Sequence, residues 1–347
     1  MRTGMLIAAL GTAITALPPL AAANCGQAFC PIESTVRAER PPRAKELAVE
    51  MGWEYIDQDQ PQIGVRNVAV GSRPANHDEI ETVNRNYRIF LEYGVTSRWS
   101  AGFIVPVVHR THRHAEPASE GGGAPADPGH VGAEDEPIES WTFTAVGDAQ
   151  VWARYSLLQP SGPRRTHASI AVGLKLPTGE TGIRNGEGEV AEITLQPGSG
   201  SVEPTVGGFA SRSVLTPSLL GARWLPLFVS ATARLPGSDG EDGYRPGTDA
   251  VVTAGGAYPL FPRVELLAQA NFRFRDRDEP GEADVQRANT GGEYLFFSPG
   301  VRLRMLDRLF AYAFVQLPVY QRVNGIQLTS DWNVSLGMTY RMDLGLT

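Results

Sequence analysis

Residues 146 to 157 read Val-Gly-Asp-Ala-Gln-Val-Trp-Ala-Arg-Tyr-Ser-Leu, an unbroken alternation of side-chain character. Gly147, Ala149, Val151, Ala153, Tyr155 and Leu157 are small or apolar, whereas Asp148, Gln150, Trp152, Arg154 and Ser156 are mostly polar. Successive side chains of a strand point to opposite faces, so one face here is apolar and the other carries charge. A soluble β-sandwich contains such a strand occasionally. This chain repeats the pattern about a dozen times, at lengths near the ~9–11 residues with which a tilted strand crosses a bilayer. The pattern predicts an all-β fold: a transmembrane antiparallel up-and-down β-barrel of about 12 strands, or 14 if the N-terminal region or a long loop hides a hairpin.

The N-terminal residues fit export. Arg2 precedes an apolar run from Met5 to Leu20, and Ala21-Ala22-Ala23 supplies the small residues a signal peptidase cuts. The expected organisation is a signal peptide over 1–23, a periplasmic extension over 24–46, the barrel over 47–342 and a C-terminal tail over 343–347. Beyond the leader no apolar stretch reaches the length of a transmembrane helix. Mean hydropathy is only −0.19, because a barrel places its apolar residues at every second position. The formal charge is −7, and an acidic balance argues against nucleic acid as a partner. Cys25 and Cys30 are candidates for a local disulfide in an oxidising periplasm, with a small metal or redox site as the alternative. One pair of thiols cannot complete a tetrahedral zinc site.

The alternation predicts strands over 47–57, 83–93, 99–108, 146–157, 167–176, 201–212, 227–235, 248–258, 263–275, 294–305, 309–319 and 327–342. Connections after even-numbered strands are mostly short and those after odd-numbered strands mostly long, the arrangement of periplasmic turns and extracellular loops. The dipeptides Val105-Pro106, Leu176-Pro177, Leu235-Pro236 and Leu317-Pro318 are expected near strand ends, because proline donates nothing to a ladder. Ser335 to Met342 fits polar-x-Gly-x-x-aromatic-x-apolar and resembles the last-strand signal read by the barrel-assembly machinery. Of the connections, 109–142 is the longest candidate for a loop folded into the lumen.

Three segments carry a family resemblance: Val146-Gly147-Asp148-Ala149, Leu174-Lys175-Leu176-Pro177-Thr178-Gly179-Glu180 and Leu195-Gln196-Pro197-Gly198-Ser199-Gly200-Ser201. Together they resemble the outer-membrane channel family associated with the meta pathway of phenol degradation, most clearly over residues 143–235. That resemblance implies passage of small organic compounds across the outer membrane. Cys25, Cys30 and the histidine-bearing segment 109–130 are not part of it.

Charges on barrel strands must face a polar lumen, since an Arg or Lys at the lipid midplane costs about 2–4 kcal/mol. The expected pore-lining residues are Arg88, Glu92, Asp148, Arg154, Lys175, Arg234, Glu265, Arg273, Arg302, Arg304 and Arg341, with Glu203 and Asp249 on the same faces. They admit two readings: an interior network of salt bridges, or a selectivity lining in which Arg273, Arg302, Arg304 and Arg341 draw anionic solutes. His109, His112, His114 and His130 fall near Glu116, Asp127 and Glu134 to Glu136, a candidate metal-binding surface loop centred on His109, His112 and His114. His167 and Ser169 share a strand face but lack an evident third member, so no enzyme is expected. No cofactor is implied. The functional expectation is a bacterial outer-membrane channel for passive transport of small, organic or anionic solutes, with membrane lipid, the assembly machinery and the solute as partners. The alternatives are a non-conducting structural or assembly barrel that docks a periplasmic protein, and a metal-binding surface barrel.

Overall fold

The computed structural model describes residues 29, 32, 41–70, 79–115, 138–159, 165–216, 223–283 and 285–345. Twelve antiparallel strands form one closed sheet. They are β1 (Glu46–Gln58), β2 (Glu79–Gly94), β3 (Trp99–Ala115), β4 in two pieces (Ile138–Val146 and Gln150–Leu158), β5 (His167–Lys175) and β6 (Glu203–Thr216). The remainder are β7 (Arg223–Arg234), β8 (Asp249–Phe261), β9 (Val264–Arg275), β10 (Gly292–Leu306), β11 (Leu309–Val323) and β12 (Asn333–Asp343). Each pairs with its neighbour in sequence, and β1 pairs with β12 from Glu46↔Asp343 to Ile56↔Asn333, so no strand edge is left open. Closure satisfies the backbone where lipid offers no hydrogen bonds.

Side-chain alternation sets the inside and the outside. On β1, Glu50 and Glu54 are 6% and 0% exposed, whereas Met51 between them is 64% exposed. On β9, Gln269, Asn271 and Arg273 are buried and Leu266, Phe272 and Phe274 are exposed. The interior is therefore polar and the exterior apolar, the reverse of a soluble protein. The outer face of β3 is apolar at Phe103, Val105 and Val107 and turns polar at His109, Thr111 and Arg113. On β4 the outward Val146 gives way to Thr144, Thr142 and Ser140. The upper β3–β4 hairpin thus rises out of the apolar band.

All twelve expected strands are present, and the departures have local causes. β3 extends to Ala115 and β4 begins at Ile138, so both ends of the expected long loop at 109–142 are paired strand. Residues 116–137 lie outside the described residues. β4 breaks at 147–149, where its pairing with β3 restarts one register later, and the break reverses which parity faces the lumen. Pro106 lies mid-strand opposite that break, its carbonyl accepting the Gly147 N–H, so its missing donor costs no ladder bond. Pro318 likewise lies inside β11, at a register shift against β10. Pro177 and Pro236 do follow strand ends, after Lys175 and Arg234.

The expected last strand over 327–342 divides. Its first part, Ile326–Thr329, pairs with Gln60–Ile63, which pairs with Arg66–Asn67, to make a small three-stranded cap. The remainder is β12, which runs one residue further than expected, to Asp343.

A charge placed on the apolar exterior should weaken folding. Val172→Arg on β5 is expected to cost about 2–4 kcal/mol, read from urea titration of the barrel in lipid vesicles. An unchanged midpoint would mean that this face does not meet lipid.

Candidate functional site

The lumen wall carries a continuous ladder of alternating charge. Lys175 on β5 bridges Asp148 in the β4 break and Glu203 on β6. Glu203 also takes Arg234 of β7 at 2.9 Å, and Arg234 reaches Asp249 of β8 at 2.8 Å. Asp249 in turn receives Arg273 of β9 through two bonds of 2.9 and 2.8 Å. Acid and base thus alternate across six adjacent strands, each charge supplied by a lumen-facing position near the extracellular strand ends. Smaller ion pairs fill the other wall: Arg88 with Glu54 at 2.7 Å, Arg154 with Glu92 at 3.5 Å, and Arg302 with Glu265. Glu50 accepts the Tyr312 hydroxyl at 2.9 Å.

The three sequence segments that carried the family resemblance meet at Asp148. Its carboxylate accepts the Gly179 N–H at 2.9 Å, the Ser199 N–H at 3.0 Å, the Ser199 hydroxyl at 3.1 Å and the Lys175 ammonium. Gly179 and Gly198 cross so closely that a Cβ on either would fall 2.6 Å from the other's backbone. This knot turns the segment after β5 into the barrel. Leu195 and Ala191 of that segment pack with Trp141 of β4 and Leu328 of the cap, an apolar cork in the extracellular half of the lumen.

A buried polar chain ties the cork down. Arg110 on β3 donates to the Leu195 carbonyl at 2.5 Å and to Asn84 at 2.7 Å; Asn84 donates to Gln58, which donates to the Leu328 carbonyl. Among the described residues, the inserted segment is 176–202; the middle of the expected candidate, 109–142, lies outside them. A second insertion comes from the N-terminal side: Ile32 packs against Ile56, Leu267, Tyr312 and Phe314, all lumen-facing. That residue of the extension expected in the periplasm lies inside the barrel.

Above the wall, two long loops are stapled by Asp278. Its carboxylate accepts Tyr244, Gly247 N–H and Arg275, while its own N–H donates to Thr290. Burial and the adjoining Asp278 carboxylate hold the Tyr244 hydroxyl well above the ordinary phenol range.

Among the expected pore-lining residues, Arg88, Glu92, Asp148, Arg154, Lys175, Arg234, Glu265, Arg273 and Arg302 are brought together as ion pairs. Arg341 is buried near the periplasmic end, beside Arg43, Arg308 and Asp343. Arg304 follows the same face as Arg302 but emerges exposed at the periplasmic rim, over the Phe310 ring at 5.8 Å. The expected histidine trio does not converge. His109, His112 and His114 lie on β3, not in a loop, and the odd and even positions face opposite ways. His109 bonds Thr144 on the outer face; His112 bonds Thr82, and His114 pairs with Glu139, inside. Cys25, Cys30, His130, Glu116, Asp127, Glu134, Asp135 and Glu136 lie outside the described residues. His167 lies tilted against Phe209, 5.6 Å between centroids, and makes no hydrogen bond to Ser169 among the described residues.

Glu50, Glu54, Arg110 and Asp278 are not among the residues expected to line the pore, although the alternation of β1 puts Glu50 and Glu54 on its polar face. Arg110 and Asp278 were hidden in stretches read as loop.

Removing one rung of the ladder leaves like charges facing each other. Lys175→Met removes the cation that Asp148 and Glu203 share and leaves Glu203 with Arg234 alone, a loss of about 3–5 kcal/mol, read from urea midpoints. Adding Glu203→Gln should recover part of that loss, because the two sites are coupled. Strict additivity would show that the ladder is not one network.

A scan against protein-family models finds no match, and no curated protein matches the chain. Solved structures do. An outer-membrane channel from Pseudomonas putida F1 superposes with a TM-score of 0.57 at 13% identity, covering 90% of this chain and 100% of that one. The NanC porin aligns over 85% of this chain and 100% of its own, with TM-score 0.41 and 10% identity. The β domain of the Bordetella autotransporter BrkA gives 0.44 and 10%, over 86% of this chain and 99% of its own. The chain is thus a twelve-stranded β-barrel of the bacterial outer-membrane type.

Proposed function

We propose that this barrel is a narrow channel for passive passage of small, uncharged organic solutes across the outer membrane. The observation that carries the reading is a hydrogen-bonded polar interior, narrowed by inserted segments, within an apolar exterior. A wall built only to fill space could be apolar throughout; a polar one supports a wet path. The balance of charge favours neutral solutes over the anionic ones considered from sequence. Lys175, Arg88, Arg154, Arg234, Arg273 and Arg302 each stand within 4 Å of a carboxylate, so their fields are largely cancelled inside the barrel. The family resemblance over residues 143–235 supports small organic solutes. The outward Tyr340 near the end of β12 fits the last-strand signal and supports insertion by the barrel-assembly machinery.

A second reading, a non-conducting structural barrel, is favoured by the cork and the ladder. Osmotic swelling of proteoliposomes separates the two. The channel reading expects swelling rates that fall steeply with solute size and differ little between neutral solutes of equal size, with only small ionic conductance in planar bilayers. Arg110→Ala, which releases the Leu195 anchor, should raise conductance severalfold. Silence in both assays, unchanged by Arg110→Ala, would establish the structural reading.

A further inference from the structure

The wall of β4 to β7 carries a recess that the ladder does not use. Where other strands present long side chains, these present Ala171, Gly173 and Gly207, so the lumen widens into a cavity of about 100 Å³. Trp152 and Phe209 border it. Trp152 is held back against β3, where Gly102 makes room for its ring: a Cβ there would fall 2.6 Å from the indole. Its other face meets Phe90, 5.1 Å between centroids. The recess is thus an opening kept by small residues and lined by two fixed aromatic rings.

Polar atoms in it and just below it have bonding capacity to spare. Arg154 Nη1, Thr205 Oγ1 and both ring nitrogens of His167 are buried without a hydrogen-bond partner among the described residues. Arg154 and Thr205 line the recess, and His167 lies just below, on the same face of β5 as Ser169 and against Phe209. A buried polar atom left unpaired costs about 1–3 kcal/mol, and four of them together point to something that completes them. The volume exceeds the ~30 Å³ share of a single water and approaches that of one six-membered ring. The Arg154 charge is already met by Glu92, so a second anion gains little there.

We infer that this recess binds a small neutral molecule, about one six-membered ring in size, that bears a hydroxyl or carbonyl oxygen. The ring lies between Trp152 and Phe209, and its oxygen accepts from Arg154 or exchanges hydrogen bonds with Thr205 and His167. The inference rests on the channel reading for its physiological sense, but the site itself is tested by equilibrium binding.

The full chain, purified in detergent, is titrated with 4-fluorobenzyl alcohol and followed by fluorine NMR. Saturable binding is expected. It should weaken about tenfold in Ala171→Leu, which fills the recess, and severalfold in the isosteric Thr205→Val, which removes one hydroxyl. 4-Fluorotoluene, lacking the oxygen, should compete at least about tenfold more weakly. Heat-modifiable gel mobility confirms that each variant is folded, and Thr205→Val alone decides if Ala171→Leu is not. Equal binding by wild type and Thr205→Val, or no saturable binding, overturns the site and leaves the recess to water. Swelling assays on the same preparation keep the two ideas apart: permeation without binding refutes the site, and binding without permeation refutes the channel.

Discussion

Closure of the hydrogen-bonded ladder is the constraint on which everything else rests. Lipid offers the backbone no partner, so the sheet must return on itself, and β1 meets β12 along eleven register pairs to do so. Once closed, the sheet has one face toward lipid and one toward the lumen, and each strand must honour that division at every residue. Parity is therefore the language in which this chain is written. Glu50 against Met51, or Arg273 against Phe272, is the same decision made repeatedly.

The break at 147–149 shows what a single departure from parity achieves. Below it, Gln150, Trp152 and Arg154 face inward. Had the alternation run on unbroken, Ser140, Thr142 and Thr144 would face inward above it, and Trp141 would face outward. The shift instead turns Trp141 and Glu139 into the lumen, where Trp141 joins the cork and Glu139 meets His114. The same break frees the backbone around Asp148 to receive the segment after β5. Barrel wall and insert are thereby fixed by one local irregularity.

Parity also explains what was legible in the sequence. Twelve strands and the lumen-facing charges could be read because alternation is local and the penalty for violating it in lipid is large. The pairing partners could not be read from alternation, since it says that Lys175 and Glu203 face inward but not that they touch. Nor could the extracellular half: above the bilayer both faces meet water, so His109 to Arg113 lose their apolar alternation and read as loop although they remain strand. The inserted segment 176–202 was invisible for another reason. Its placement depends on Gly179 and Gly198 crossing and on Arg110 reaching Leu195, contacts between residues far apart in sequence.

The ladder and the recess divide the lumen between them. Where the ladder runs, each buried charge has its opposite on the next strand, so its charges are matched in place. Toward the periplasmic end, the small residues of β5 and β6 withdraw the wall and leave Arg154, Thr205 and His167 with unused capacity. A path through the barrel would then pass from a region that is electrostatically closed to one that is chemically open. Selectivity in such a barrel would come less from net field than from which solutes can replace the hydrogen bonds that the wall has left unmade.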